Sequence, residues 1–311
     1  MRSMLRLSRR EFAGAVAGLT AGAAPSRRVA FVAGAKSHGF GEHAHSTGCL
    51  LLAKLLRQSG IDTVVHRNGW PANPSFFDGA STVVVYMDGG DRHPMLPYLE
   101  SFDAVMKKGV GLVVLHYALV VPAGAPGAKF LDWIGGYYET NWSVNPFWTG
   151  KFDQLPRHPV TRGVKPFEIR DEWYYHMRFR EGMRGVTPIL TAIPPEETRM
   201  GPDGPHSGNP AVRARKGMAE HVAWAFERPG GGRGFGLTGA HAHWEWAHDD
   251  FRKLVLNAIV WTAGIEVPRA GFASPTPCRE ELMANQEGEA PEGFGPGGEI
   301  WRKLGIRDCA R

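Results

Sequence analysis

Histidine and carboxylate side chains gather in three short segments, each of which follows a strand-like stretch. The segment SHGFGEHAH, residues 37–45, contains three histidines and Glu42; LHYA contains His116; GAHAHWEWAH, residues 239–248, contains three more histidines. Imidazole and carboxylate are suitable ligands for zinc and similar divalent ions near neutral pH. Seven of the thirteen histidines therefore lie where a metal site or acid–base chemistry could be built.

The spacing within these segments leaves two interpretations open. In an extended HAH sequence the two imidazoles project to opposite sides. His43 and His45 therefore need not bind the same ion, and the same applies to His241 and His243. The chain has no HExxH motif, in which both histidines lie on one face of a helix. The alternative to a metal site is a set of histidines that are hydrogen-bonded in loops or in the core.

A further candidate is the string DEWYYHM, residues 171–177. Its carboxylates could supply a general base, Glu172, beside aromatic rings on which a sugar could stack. The alternative is an edge strand in which Asp171 contacts the backbone. Tryptophan is frequent in the predicted loops, which weakly favours a carbohydrate ligand. The predicted substrate contacts are Trp173, Tyr174, Trp244 and His243.

The elements that must position these segments alternate between strands and helices. Apolar periodicity predicts strands at 27–34, 61–66, 82–87, 110–116 and 232–239, with short strands near 168, 186 and 221, and helices at 46–58, 95–108 and 249–262. Such alternation implies a parallel sheet with helices on both faces, and ligands bind at the carboxyl ends of its strands. The string GGGRGFG does not open a helix, so a nucleotide site is not predicted.

The charge distribution argues against nucleic acid as a partner. The 311 residues carry a net charge of +5, but residues 1–24 contribute +3 of it, and no clustered basic face is evident in the rest. Residues 1–24 pair a basic segment, containing Ser8-Arg9-Arg10-Glu11-Phe12, with a short Ala/Gly-rich run. This pattern is typical of a twin-arginine signal peptide. We therefore expect a periplasmic or secreted protein without stable membrane insertion after cleavage.

The cysteines do not suggest a thiolate metal site. Cys49 lies in an apolar helical stretch, which indicates a buried, inert thiol. Cys278 and Cys309 lie in the Pro/Gly-rich tail, residues 266–311, and could pair in an oxidising compartment.

Several motifs in order resemble the ThuA-like (trehalose utilisation) family over residues 28–265. They are SHGFGEH, GVGLVVLH, WIGGYYE, HPVTRG, DEWYY and VAWAFERPGGGRGFGLTGAH, followed by a helix ending in IVWTAG. The resemblance implies a single domain with the class I glutamine amidotransferase-like fold, a flavodoxin-like parallel sheet flanked by helices. Amidotransferases carry a cysteine nucleophile after the central strand. His116 stands at that position, so amidotransferase chemistry is not expected.

The resemblance also implies a role in disaccharide or keto-sugar metabolism beside a sugar dehydrogenase. It favours His38, His116 and His241 as ligands of a divalent metal, zinc first, with Glu42, His45 and Glu172 in support. Our first hypothesis is an enzyme that acts on a glycoside or its 3-keto derivative by hydrolysis, elimination or isomerisation. His116, Glu172 and Glu42 would be its catalytic residues. The alternatives are a non-catalytic carbohydrate-binding protein and a partner subunit of the dehydrogenase.

Overall fold

Eleven strands and seven helices form within residues 27–310, the part of the chain that this computed structural model describes. The strands are β1 (Arg28–Ala33), β2 (Thr63–His66), β3 (Ala80–Tyr86), β4 (Gly111–Leu115), β5 (Gly136–Tyr137), β6 (Phe147–Phe152), β7 (Phe167–Glu172), β8 (Arg178–Phe179), β9 (Val186–Ala192), β10 (Glu220–Glu227) and β11 (Arg233–Leu237). The helices are α1 (His45–Gln58), α2 (Leu99–Lys107), α3 (Ala125–Trp133), α4 (Pro210–Arg213), α5 (Asp249–Thr262), α6 (Arg279–Met283) and α7 (Glu299–Lys303). The predicted signal peptide, residues 1–24, lies outside the described residues.

Seven strands form the central sheet in the order β2-β1-β3-β4-β11-β10-β9. All neighbouring pairs from β2 to β11 are parallel, and β10 pairs antiparallel with both of its neighbours. If β11 is counted as the fifth strand, the five parallel strands follow the 2-1-3-4-5 order of flavodoxin-like sheets. The predicted fold class is therefore confirmed. Among residues 27–310, no helix combines the length and the apolar character needed to cross a membrane.

Two apolar layers cover the sheet, as its near-continuous apolar strands require. On one face, the core contains buried residues of α1 and α5; on the other, it contains those of α2 and α3. Helix α5 coincides with its predicted bounds. The predicted helix at 95–108 is divided: a 3₁₀ turn, Leu96–Tyr98, with proline in its first turn, precedes α2.

Strand β4 ends one residue earlier than predicted, and this difference matters for the site. His116 has a positive φ of 54° and starts a 3₁₀ turn that continues to Leu119. A non-glycine residue rarely adopts this left-handed conformation. The sharp turn redirects the chain at the carboxyl end of the central strand and places the His116 imidazole at that end of the sheet.

The C-terminal segment packs on the sheet domain. Leu282 of α6 and Trp301 of α7 are buried. Cys278 and Cys309 form a disulfide, and Cys49 is buried in α1. The tail is thus anchored to the domain by apolar contacts, and the disulfide links two parts of the tail to each other.

Candidate metal centre

Four side chains from four different segments converge at the carboxyl edge of the sheet. His43 comes from the loop between β1 and α1, His116 follows β4, Glu172 ends β7, and His241 follows β11. Three of them are buried, and Glu172 is half-buried. The parallel strands β1, β4 and β11 bring the three histidines together because their carboxyl ends lie at one edge of the sheet. Glu172 joins them from β7, which pairs antiparallel with β6 in a separate two-stranded sheet.

Five of the six distances between the ligand atoms are close to those of a tetrahedral set. Nε2 of His43 lies 3.1 Å from Nε2 of His116 and 3.1 Å from Nδ1 of His241, and the last two are 3.3 Å apart. Oε2 of Glu172 lies 3.4 Å from Nε2 of His116 and 3.2 Å from Nδ1 of His241. Tetrahedral zinc with bonds of 2.0–2.1 Å separates its ligand atoms by roughly 3.3–3.4 Å. Five of the six pairs of ligand atoms lie near this spacing, and the sixth pair, His43 and Glu172, lies within 4.8 Å.

The hydrogen bonds on the outer ring nitrogens determine where the lone pairs point. Nδ1 of His116 donates to the Thr238 carbonyl at 2.7 Å, and Nδ1 of His43 donates to the Asp88 carboxylate at 2.9 Å. In the neutral imidazoles both Nε2 atoms therefore carry lone pairs. Two lone pairs 3.1 Å apart cannot hydrogen-bond to each other. This donor set fits a cation between the rings, and the outer acceptors fix the tautomer that binds it.

The pKa values of the cluster reflect burial and the shared carboxylate. Burial lowers the pKa of His43 to about 3, despite its hydrogen bond to Asp88. Burial would raise the pKa of Glu172, but the hydrogen bonds and charges of His116 and His241 lower it to about 2. Burial opposes a charge on His241, but its interactions with Glu172 raise its pKa above the usual value. Glu172 is thus a carboxylate at neutral pH.

Asp171 holds the loop that carries His241. Its buried carboxylate accepts hydrogen bonds from the backbone N–H of Ala240 at 2.5 Å and of His241 at 3.2 Å. Ala240 has a φ of 82°, so the turn is strained and needs this support. A Cβ at Gly239 would lie 2.6 Å from Oδ2 of Asp171, which explains why glycine precedes the turn. The backbone role considered for Asp171 in the sequence is therefore observed, and it serves the site.

A cavity of about 200 Å³ opens onto the cluster. Beyond residues of the cluster and His38, its walls are formed by the side chains of Tyr117, Val120, Tyr138, Asn145, Tyr174 and His206. The Asn145 amide donates to Oε1 of Glu172 at 3.0 Å. The Tyr174 hydroxyl lies 3.3 Å from Oε2 of Glu172 and 3.1 Å from Nε2 of His116. Both oxygens of Glu172 are thereby fixed in direction.

The chain matches the family model ThuA, described as trehalose utilisation, over residues 28–262. It belongs to the ThuA family. Membership confirms the resemblance carried by the sequence motifs and suggests a role related to carbohydrate metabolism. No curated protein matches this ThuA chain.

Two solved structures support the fold of the ThuA domain. A ThuA-like protein from Bacteroides uniformis ATCC 8492 is 15% identical, with a TM-score of 0.54; the match covers 78% of this chain and 93% of that one. A ThuA-like protein from Parabacteroides merdae ATCC 43184 is 16% identical, with a TM-score of 0.52; the match covers 80% and 98% of the two chains. At these identities the likeness concerns the fold alone.

The ThuA domain brings together some of the residues that the sequence selected as ligands and catalysts. His116, His241 and Glu172 belong to the cluster. His38 does not belong to the group of four; it is exposed, and its ring stacks on His43 with centroids 3.6 Å apart. Glu42 is half-exposed, with Oε1 4.0 Å from Nε2 of His241, beside the cluster.

Three of the four predicted substrate contacts do not line the cavity. The structure therefore corrects the prediction that a sugar stacks on Trp173. Trp173 is fully buried in the core beneath β7, so it offers no face to a sugar. The half-buried Trp244 packs against Phe40, Phe294 and Trp301 and does not line the cavity. His243 is also fully buried and does not line it. Tyr174 is buried, but its hydroxyl reaches the cluster.

Sequence reasoning did not select His43, Asp88 or His206. His43 lies in the recognised histidine segment, but its φ of 43° could not be read from the residue types. Asp88 follows β3 in a DGGD string that carries no metal signal by itself. His206 lies in a Gly/Pro-rich loop far from the other histidine segments along the chain. The position of Asp88 directly after a buried strand was the one available signal.

Proposed function

We propose that this protein is a metal-dependent enzyme of carbohydrate metabolism that acts on a disaccharide or a 3-keto-glycoside. The reaction is a hydrolysis, an elimination or an isomerisation. One observation carries the proposal: three histidine nitrogens and one carboxylate oxygen converge within 4.8 Å of one another beside a cavity. Family membership supplies the carbohydrate context.

His43, His116, His241 and Glu172 are the proposed ligands, and zinc is the proposed ion. Three imidazoles and one carboxylate suit zinc in type, and a substrate oxygen or water would have to bind as a fifth ligand or in place of Glu172. When bound, such an ion would polarise a carbonyl group or lower the pKa of water. Asp88 and the Thr238 carbonyl orient two of the imidazoles, and Asn145 orients Glu172.

The cavity walls favour one polar ring as the ligand. A volume of about 200 Å³ is below the usual 300–1,000 Å³ of sites for drug-sized ligands. One sugar ring would enter, and the remainder of the glycoside would stay outside. The hydroxyl group of Tyr117, which lines the cavity, can hydrogen-bond to a sugar hydroxyl. Phe147 supplies an exposed aromatic face near the cluster, since its ring lies 5.0 Å from that of His241.

Export through the twin-arginine pathway is part of the proposal. The signal-like residues 1–24 support it, and the Cys278–Cys309 disulfide suits an oxidising compartment. A fusion of residues 1–24 to a reporter should be exported, and replacement of Arg9 and Arg10 by lysine should block export. Retention of the unmodified fusion in the cytoplasm would contradict this part of the proposal.

Elemental analysis of the protein without its first 24 residues tests the metal centre. We expect about one equivalent of zinc per chain, and its loss in His116→Ala and His241→Ala. His221→Ala is the matched control, because this half-buried histidine bonds to Thr191 on the sheet and does not line the cavity. Folded wild-type protein that binds no divalent metal would contradict the proposal.

Turnover of 3-keto-glycosides by the zinc-loaded protein tests the reaction class. Product formation that is lost in His116→Ala supports an enzyme. Binding of the sugar without any product on prolonged incubation would instead favour a carbohydrate-binding protein. Turnover that is unchanged in His116→Ala would refute the role of the cluster.

A further inference from the structure

The cluster leaves the proposed reaction without a group to carry protons. Glu172 has both oxygens engaged by neighbouring side chains and is a proposed metal ligand, so it is held in place. Glu42 does not line the cavity, and Tyr174 is fixed between Glu172 and His116. A proton carrier must therefore come from another wall of the cavity.

His206 lines the cavity and lies outside the cluster of four. Its Nδ1 lies 2.8 Å from the hydroxyl oxygen of Tyr138, and the two rings are 5.5 Å apart. Because Nδ1 is engaged by Tyr138, Nε2 is the ring nitrogen that remains for a ligand. His38 also lines the cavity, but it is exposed and bonds to Ser37.

Backbone hydrogen bonds hold the Gly/Pro-rich loop that carries His206. The Asn145 backbone N–H donates to the His206 carbonyl at 3.1 Å, and that of Asn141 donates to the Pro205 carbonyl at 2.8 Å. Asn145 also orients Glu172 through its side chain. Asn145 thus fixes the position of His206 relative to Glu172 of the cluster. A substrate that contacts both residues needs this fixed geometry.

Tyr138 is positioned to support an imidazole that changes its protonation state. Its side chain is fully buried, and burial raises the pKa of its hydroxyl, which therefore stays neutral. A neutral hydroxyl can donate to Nδ1 or accept from it. It can thus satisfy His206 before and after proton transfer at Nε2.

We propose that His206 is the general acid–base residue of this site and that Tyr138 is its positioning residue. The inference rests on the proposed function. Nε2 of His206 takes a proton from the carbon next to the substrate ketone. The C–H electron pair forms the C=C bond of the enolate, and the carbonyl π pair moves to oxygen. Return of a proton from the imidazolium to carbon reverses these changes, so no oxidant or reductant is needed.

The test measures deuterium exchange from D₂O into methyl 3-keto-glucoside by the zinc-loaded protein. General acid–base groups contribute about 10²–10⁴-fold, so we expect His206→Gln to slow exchange at least about 100-fold. Zinc content and the dissociation constant of the keto-glucoside should stay unchanged. His221→Gln is the control, because His221 also forms a hydrogen bond with a hydroxyl group, that of Thr191. This variant should catalyse exchange at the rate of the wild type.

The outcomes separate this inference from the proposed function. Exchange by His206→Gln within about threefold of wild type would overturn the role of His206 and leave the enzyme standing. Zinc-loaded wild-type protein that neither exchanges nor converts the keto-glucoside would overturn both. If His206→Gln loses zinc, Tyr138→Phe decides: a lower kcat at unchanged KM supports the inference, and an unchanged kcat overturns it.

Discussion

Removal of the Asp88 carboxylate should weaken metal binding without removing a ligand. Asp88 accepts the Nδ1–H hydrogen bond of His43 at 2.9 Å, which holds the Nε2 lone pair toward the other ligands. Loss of such outer partners typically costs 10–100-fold in metal affinity. We therefore expect Asp88→Ala to raise the zinc dissociation constant by about 10–100-fold, or about 1.4–2.7 kcal/mol.

The metal-free protein should also lose stability in this variant. The His43 side chain is 2% exposed, whereas that of Asp88 is 30% exposed. The Nδ1–H group would lose its acceptor in a buried position, which costs about 1–3 kcal/mol. Asp88→Asn keeps an acceptor oxygen but loses the charge, so its zinc affinity should lie between those of wild type and Asp88→Ala.

Competition with a chromophoric zinc chelator at fixed pH and ionic strength measures these constants. Urea denaturation of the metal-free proteins measures the stability difference. Asp132→Ala is the control, because Asp132 forms an exposed ion pair with Arg180 away from the cavity. An Asp88→Ala dissociation constant within about twofold of wild type would refute the orienting role assigned to this carboxylate.

Four further predictions test other parts of the structure. His38→Ala should keep its zinc and His43→Ala should lose it in elemental analysis, because only His43 belongs to the converging set; the reverse result would restore the ligand assignment made from the sequence. Asp171→Ala should lower the free energy of unfolding in urea by about 3 kcal/mol or more, since it leaves buried backbone N–H groups without an acceptor; an unchanged midpoint would contradict its support of the turn. Gly239→Ala should cost about 1–3 kcal/mol in the same assay, because the methyl group meets the Asp171 carboxylate, and wild-type stability would show that the turn relaxes freely. Cys49 is buried and burial raises the pKa of its thiol, so the native oxidised protein should show no reactive thiol and the denatured protein should show one; labelling of the native protein would contradict this.

The alternation of strands and helices was readable because it depends on local patterns. Near-continuous apolar runs identified β1, β3 and β4, and the apolar spacing of α5 gave both of its ends. Parallel order then followed from chain connectivity. These features require no knowledge of which distant residues meet. The family motifs extended the same information to nearly the whole domain.

The sequence by itself thus determined the fold class, the family and the edge of the sheet at which the histidine segments meet. Only the tertiary structure decided that His43 rather than His38 points into the cluster, because a positive φ sets the direction of a side chain in a loop. It also decided that Trp173 faces the core and that His206 reaches the cavity. Strand ends depend on local pattern, whereas loop directions depend on long-range contacts such as those of Asp171 and Asn145.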